Sequence, residues 1–312
     1  MSDLLGLLCM SYGTARGLDD VEAYYTHVRR GRPPTPELLQ GLRERYVAIG
    51  GRSPLIEISE AQVRGLEKLL NENPEGPLFR AYHGMKHQRP YLEDALKEMA
   101  EDELTSGVGL VLAPHYSRFS VGEYVDRVER TAATEGLSFS FVESYATHPA
   151  FVEFVAARVR DALGRLPEET RTDAVVVFSA HSLPEKIVAA GDPYPQELQG
   201  TADAVAESLG LERYRIAWQS AGRTGEPWLG PDLPDVLRDL GSHGVRAAVS
   251  CPVGFVSDHL EVLYDVDIEA RDAAREAGVR LIRTESPNDD PAFLAALAAV
   301  IRDHLSQEES RG

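Results

Sequence analysis

Eight short runs of apolar, β-branched residues punctuate this chain, and their order constrains the fold more than any other feature. They lie at Leu4 to Met10, Leu78 to Tyr82, Val108 to Ala113 and Leu137 to Val142, then at Ala174 to Phe178, Tyr214 to Trp218, Val245 to Val249 and Arg280 to Ile282. Runs this continuously apolar read as strands buried on both faces. Helical patterns such as Glu60 to Asn71 and Phe151 to Leu163 fall between them. Strand alternating with helix implies parallel sheets covered by helices, an α/β architecture. The two sets of four strands also resemble one another. In each, the first strand runs into a polar turn (Ser11-Tyr12-Gly13-Thr14; Ser179-Ala180-His181-Ser182) and the third ends in a proline (Ala113-Pro114-His115; Cys251-Pro252-Val253). Two similar lobes are expected, each a four-stranded parallel sheet flanked by helices. Ligands of open parallel sheets bind beyond the carboxyl ends of the strands, where these turns fall, so the cleft between the lobes is the expected place for chemistry.

Length agrees with this division, because 312 residues is where one core usually splits into two. The boundary is expected near Tyr145 to Pro149, giving lobes of residues 1–147 and 148–312, with the last helix packing across it. No run approaches the roughly 20 apolar residues of a membrane span, and no basic segment precedes the first apolar stretch, so a cytoplasmic protein is expected. Cys9 and Cys251, the two cysteines, both sit in strand-like runs and read as core residues. A formal charge of −18 argues against nucleic acid as a partner. Between Val28 and Arg52, however, six arginines (Arg29, Arg30, Arg32, Arg43, Arg45, Arg52) face only Glu37 and Glu44, a local +4. Such a patch suits a small ligand with several carboxylates, or is an ordinary solvated helix face.

Two features could carry chemistry. His181 closes the strand DAVVVFSA, which places it at a carboxyl end facing the cleft, as a proton acceptor, a metal ligand or a capping residue. Glu261, Asp265 and Glu269 recur at intervals of four, which on an α-helix lines three carboxylates along one side at about 6 Å per step. Hard oxygen ligands in a row suit a hydrated divalent metal that is held weakly and passed on; a solvated acidic face is the alternative. No glycine-rich phosphate loop, GxSxG elbow or HExxH pair occurs, which demotes nucleotide, serine-hydrolase and zinc-peptidase readings.

With these residues in view, the chain resembles the ferrochelatases along nearly its whole length, and most closely their short, coproporphyrin-using bacterial branch. The matching segments are SYGT, YYTHVRRGRPPTPELL, RYVAIGGRSPL, LAPHYSRFSVGEY, SAHSLPEKIVAAGDPYP, WQSAGRTGEPWLGPD and CPVGFVSDHLEVLYDVD. The resemblance implies the chelatase fold, two Rossmann-like lobes around a porphyrin cleft, and insertion of Fe2+ as a substrate into coproporphyrin III. It implies that His181 and Glu261 form the pair at the insertion centre, with Asp265 and Glu269 extending a metal path to solvent. Tyr12 would face the iron from the other side, and Arg29, Arg45, Ser53, Tyr124 and Trp228 would hold the porphyrin. Neither a prosthetic group nor a [2Fe-2S] cluster is expected, since the cluster's cysteines are missing; nor is the dimerising tail of the mitochondrial enzymes, so a monomer is expected. Ala15 departs from the family's proline after Gly-Thr. The alternatives are a protoporphyrin IX ferrochelatase, a cobalt or nickel chelatase, and a non-catalytic haem-binding protein.

Overall fold

A computed structural model describes residues 4–73, 76–222 and 225–310; Arg223-Thr224 of the WQSAGRTGEPWLGPD segment lie outside the described residues. The eight apolar runs form eight strands: β1 (Leu4–Ser11), β2 (Leu78–Met85), β3 (Ser106–Val111), β4 (Ser138–Val142), β5 (Val175–His181), β6 (Tyr214–Gln219), β7 (Ala247–Cys251) and β8 (Arg280–Arg283). They make two four-stranded sheets, ordered β2-β1-β3-β4 and β6-β5-β7-β8, with every pairing parallel. The two orders are the same, so the repeat seen along the chain is a repeat of topology. Each repeat's first strand is central and buried, which brings Ser11 and His181 to corresponding strand ends.

The apolar faces are not shared out as length alone suggests. The outer face of each sheet has its own core, around Leu8, Leu92 and Val128 in one and Val177, Leu237 and Val266 in the other. The inner faces instead belong to one continuous core that joins Leu7, Val108 and Leu66 to Phe178, Val249, Phe154 and Leu297. The helix Pro291–Glu309 makes this junction, packing on both Leu55–Asn71 and Pro149–Gly164. Each of these junction helices from the second half starts on a proline after a capping side chain: Asp290 accepts from Ala292 N–H and His148 from Ala150 N–H. The two halves are therefore packed together through one core.

The carboxylate row departs from the α-helical expectation. After a single α-turn at Leu260–Leu263, residues Asp265–Ala270 form a π-helix in which Glu269 N–H bonds Tyr264 O at 3.0 Å. The row is therefore carried by an α-turn followed by a wider π-turn rather than by one regular α-helix, and Asp265 and Glu269 still lie close enough for Arg45 to reach both. Among the described residues, no helix is long and apolar enough to cross a membrane.

Candidate functional site

The carboxyl ends of both sheets open onto one cavity of about 540 Å3, with Tyr12, Lys86, His87, His115 and Tyr124 on one wall and His181, Trp228, Phe255, His259 and Glu261 on the other. On the second wall, His181 ends β5 paired with Gln219 of β6. Its Nδ1–H donates to the Ser182 carbonyl, which leaves Nε2 to face the cleft, 3.6 Å from Glu261 Oε1. Glu261 Oε2 lies 3.5 Å from His259 Nε2, and His259 Nδ1 in turn donates to Ser257 O. Gln219 Nε2 donates to the Glu261 carbonyl at 3.1 Å, tying this turn to the strand end beside His181. The approach is set by Gly254: a Cβ there would stand 2.5 Å from Ala180 Cβ and 2.7 Å from Ala180 Cα, so only glycine lets the chain after β7 pass this close to β5.

This geometry sets the charges. Burial alone would lower the His181 pKa, but the Glu261 carboxylate and the Ser182 carbonyl outweigh it and raise it to about 8. Glu261 is the mirror image: burial pushes it up, yet the two imidazoles hold it well below the ordinary carboxylate range. Both shifts favour a protonated imidazole beside an ionised carboxylate.

Asp265 and Glu269 face a second, smaller cavity of about 270 Å3, and Arg45 reaches into it from the first half of the chain. Arg45 Nη1 is 3.0 Å from Asp265 Oδ1 and Nη2 is 3.4 Å from Glu269 Oε1, with the guanidinium 4.8 Å from the Tyr264 ring centre. Asp265, 6% exposed, also accepts from Ser220 Oγ–H. Burial and the Glu261 charge raise its pKa to about 6 against the pull of Arg45 and Ser220. The four residues expected to handle metal are therefore divided into a cleft-facing pair and an arginine-bound pair. Among the described residues, no three His, Cys, Asp or Glu side chains converge on one metal position.

On the first wall, Tyr12 is 44% exposed and lies 4.6 Å from the His87 ring, whose Nδ1 is 3.0 Å from His27 Nδ1. Burial and the neighbouring Lys86 charge push His87 down to about 3, so it is neutral. Lys86 lies over the Tyr124 ring, 5.0 Å from its centre, and binds Glu123 at 2.5 Å; Arg30 reaches the same carboxylate at 3.4 Å. Of the residues expected to hold porphyrin, Tyr12, Tyr124 and Trp228 line this cavity, whereas Arg29, Arg45 and Ser53 do not. Arg45 is held by the acids, Arg29 donates to the Arg32 carbonyl and lies 5.6 Å from the Tyr25 ring centre, and the buried Ser53 accepts from Leu55 N–H. From the basic patch it is Arg30, at a left-handed φ of 57°, that faces the cavity. Ala15 adds a contact: its N–H, which proline lacks, donates to Tyr46 Oη at 3.2 Å, beside Thr14 Oγ1 at 2.7 Å.

A family model described as ferrochelatase matches residues 5–305. The chain belongs to the ferrochelatase family. It is 50% identical over 307 residues to the coproporphyrin III ferrochelatase of Anoxybacillus flavithermus, covering 98% of each chain. It is 48% identical over 305 residues to the coproporphyrin III ferrochelatase of Bacillus subtilis, covering 97% of this chain and 98% of the relative. Among solved structures, SirB from Bacillus subtilis with Fe3+ matches with a TM-score of 0.60 over 98% of this chain and 97% of its own, and at 12% identity shows a common chelatase fold.

In this ferrochelatase-family chain, sequence reasoning missed His259, Lys86 and His87. His259 stood inside the segment DHLE, two residues from Glu261, but gave no periodic signal. Lys86 and His87 follow β2 directly, so the rule that ligands gather at carboxyl ends of parallel strands pointed to them.

Proposed function

We propose that this chain inserts Fe2+ into coproporphyrin III to give coproheme, in the cleft between its two sheets. The observation that carries the reading is the His181 Nε2–Glu261 Oε1 pair at 3.6 Å, set in the wall of a cavity with Tyr12 across from it, in a chain half identical to relatives named for this reaction. Insertion releases two pyrrole protons as Fe2+ takes their place. The His181–Glu261 pair is the group in this wall suited to take those protons and pass them to solvent. Asp265 and Glu269 offer hard oxygens at the outer end of the same segment, suited to an ion that is held and released. Tyr124 and Trp228 supply apolar ring surface for the macrocycle, and Arg30 and Lys86 supply cations for its carboxylates, with Arg29, Arg45 and Ser53 as the further carboxylate partners that the family resemblance implies. Four carboxylates on coproporphyrin III against two on protoporphyrin IX favour the former in a cleft so equipped. The reaction needs no prosthetic group, with iron as substrate. We further propose a cytoplasmic monomer whose halves, 1–147 and 148–312, act as the lobes of the cleft.

Anaerobic assays with Fe2+ test this, comparing coproporphyrin III with protoporphyrin IX, and Co2+ with sirohydrochlorin. Iron coproporphyrin formed at the highest kcat/KM is the expected result. Preference for protoporphyrin would overturn the substrate, preference for sirohydrochlorin the class, and tight binding of haem without any insertion would make the protein a carrier.

A further inference from the structure

The segment that carries Glu261 is pinned on both sides by one side chain from another strand. Arg283, the last residue of β8, sends Nε to Asp267 Oδ1 and Nη2 to Asp267 Oδ2, each at 3.0 Å, a two-pronged grip on the middle of the π-helix. Its Nη1 donates to Ser286 Oγ at 2.9 Å and to the Thr284 carbonyl at 3.2 Å, and stands 3.3 Å from Asp258 Oδ1. Asp258 directly precedes His259. It also accepts from Ser286 Oγ–H at 2.7 Å and Asn288 Nδ2 at 3.0 Å, while its own N–H donates to Asn288 Oδ1 at 2.8 Å. Asn288 sits at a left-handed φ of 46°, and Gln62 from the first half donates to its carbonyl at 2.8 Å and to the Val256 carbonyl at 3.0 Å. Asp258 and Asp267 thus bracket His259, Glu261 and Asp265.

A π-turn is rare and persists where something holds it. Relaxing this one to an α-turn would rotate every following side chain by roughly 100°, the angle per residue of an α-helix. Glu269, four residues into the turn, would then swing relative to Asp265 and Glu261, and the two carboxylates that Arg45 now reaches together would part. A planar guanidinium gripping Asp267 with two parallel bonds resists that rotation, and its grip is strong because Arg283 is largely withdrawn from water.

We propose that Arg283 is a positioning residue for iron insertion: by bracketing Asp258 and Asp267 it holds the π-turn and so decides where Glu261 and Asp265 face. It rests on the iron-inserting reading of the cleft, and acts through the carboxylates without touching either substrate.

Arg283→Lys keeps the charge and cannot make the two-pronged contact; Asp267→Asn keeps the shape and loses the charge. In each, kcat should fall by roughly ten- to a hundredfold, the usual loss when the partners of a metal-handling group are removed, with the KM for coproporphyrin unchanged. Arg271 also reaches Asp267 Oδ1, at 3.3 Å from an exposed position; the double variant should be little worse than Arg283→Lys alone, because that change already removes the two-pronged grip on Asp267. Independently of activity, hydrogen exchange in the metal-free protein should quicken at the Ile268 and Glu269 amides, which bond the Tyr264 carbonyl, with β1 and β5 still protected. Unchanged exchange there in a folded variant would overturn the proposal. So would additive effects of the two substitutions, or a parallel rise in porphyrin KM with general loss of protection, which would make Arg283 a stability residue only. If Arg283→Lys does not fold, Asp267→Asn and Asp258→Asn undergo the same measurements. A wild-type protein that inserts no iron would sink the functional reading, while the exchange experiment would still decide the clamp.

Discussion

Arg45 Nη1 lies 3.0 Å from Asp265 Oδ1, so a cation from the first half of the chain sits against an acid from the second, in the smaller cavity that Glu269 also lines. The same guanidinium keeps the Asp265 pKa, about 6, from rising further. Arg45→Ala should therefore move the pH at which Fe2+ begins to bind well upward, because the carboxylate must ionise to serve as a ligand. It should also weaken coproporphyrin by about tenfold if a porphyrin carboxylate takes over this guanidinium. Fe2+ titrations at several pH values, with fluorescence titration of the metal-free porphyrin, separate the two effects. No change in either would leave Arg45 a structural tie.

The His181 pKa of about 8 gives a pH prediction with a definite sign. If the neutral imidazole is the form that takes a pyrrole proton, kcat/KM should rise with pH and level off above about 8. Glu261→Gln removes the carboxylate that raises this pKa and leaves the burial that lowers it, so the inflection should move to lower pH even as kcat falls. The measured value belongs to the pair, since the two groups titrate together. An inflection that stays in place would remove His181 from proton transfer. His181→Ala should abolish insertion and leave porphyrin binding intact.

Glu269 is half exposed and its tip is held by Arg45, whereas Glu261 lies between two imidazoles in the cleft wall. Glu269→Gln should raise the KM for Fe2+ with kcat little changed, the pattern of lost ground-state binding. Glu261→Gln should instead depress kcat. Equal losses of kcat in both variants, with no change in metal KM, would show that the acids act as one unit.

Tyr12 projects into the cavity across from His181, with its ring against His87. Tyr12→Phe removes one oxygen at nearly constant volume, so the cavity survives. The absorption spectrum of bound ferric coproheme should shift if this phenol faces the iron. An identical spectrum would return Tyr12 to a packing role.

Gly254→Ala would press a methyl group against the Ala180 backbone at 2.7 Å, and a strand end cannot yield as a flexible side chain does. Destabilisation of about 1–3 kcal/mol by chemical denaturation is expected. Because the displaced loop leads to His259 and Glu261, kcat should fall as well. A variant as stable and active as wild type would show that the close pass at β5 is not required.

The strands and their repeat were legible because strands buried on both faces read as short unbroken apolar runs, here bounded by turn residues and alternating with helical patterns. Topology then placed His181 and Tyr12 at strand ends, a matter of local sequence. What the sequence did not contain was any contact formed by residues far apart along it. Arg45 reads as part of a basic patch until folding carries it to Asp265, 220 residues away, and Arg30, not Arg29, turns to the cavity because of one left-handed residue. The π-turn is hidden for the same reason. The spacing of Glu261, Asp265 and Glu269 is the α-helical one, and the extra residue in the turn is held by Arg283 and Asp267, whose pairing belongs to the tertiary structure. The inner faces likewise merge into one core because Pro291–Glu309 spans both sheets, a choice of packing partner that periodicity along one helix leaves open. Local pattern determined the elements and which strand ends carry polar residues. The charge on His181 and the partners of Asp265 were decided by three-dimensional neighbours, because Coulomb energies and desolvation depend on distance in space and not on separation along the chain.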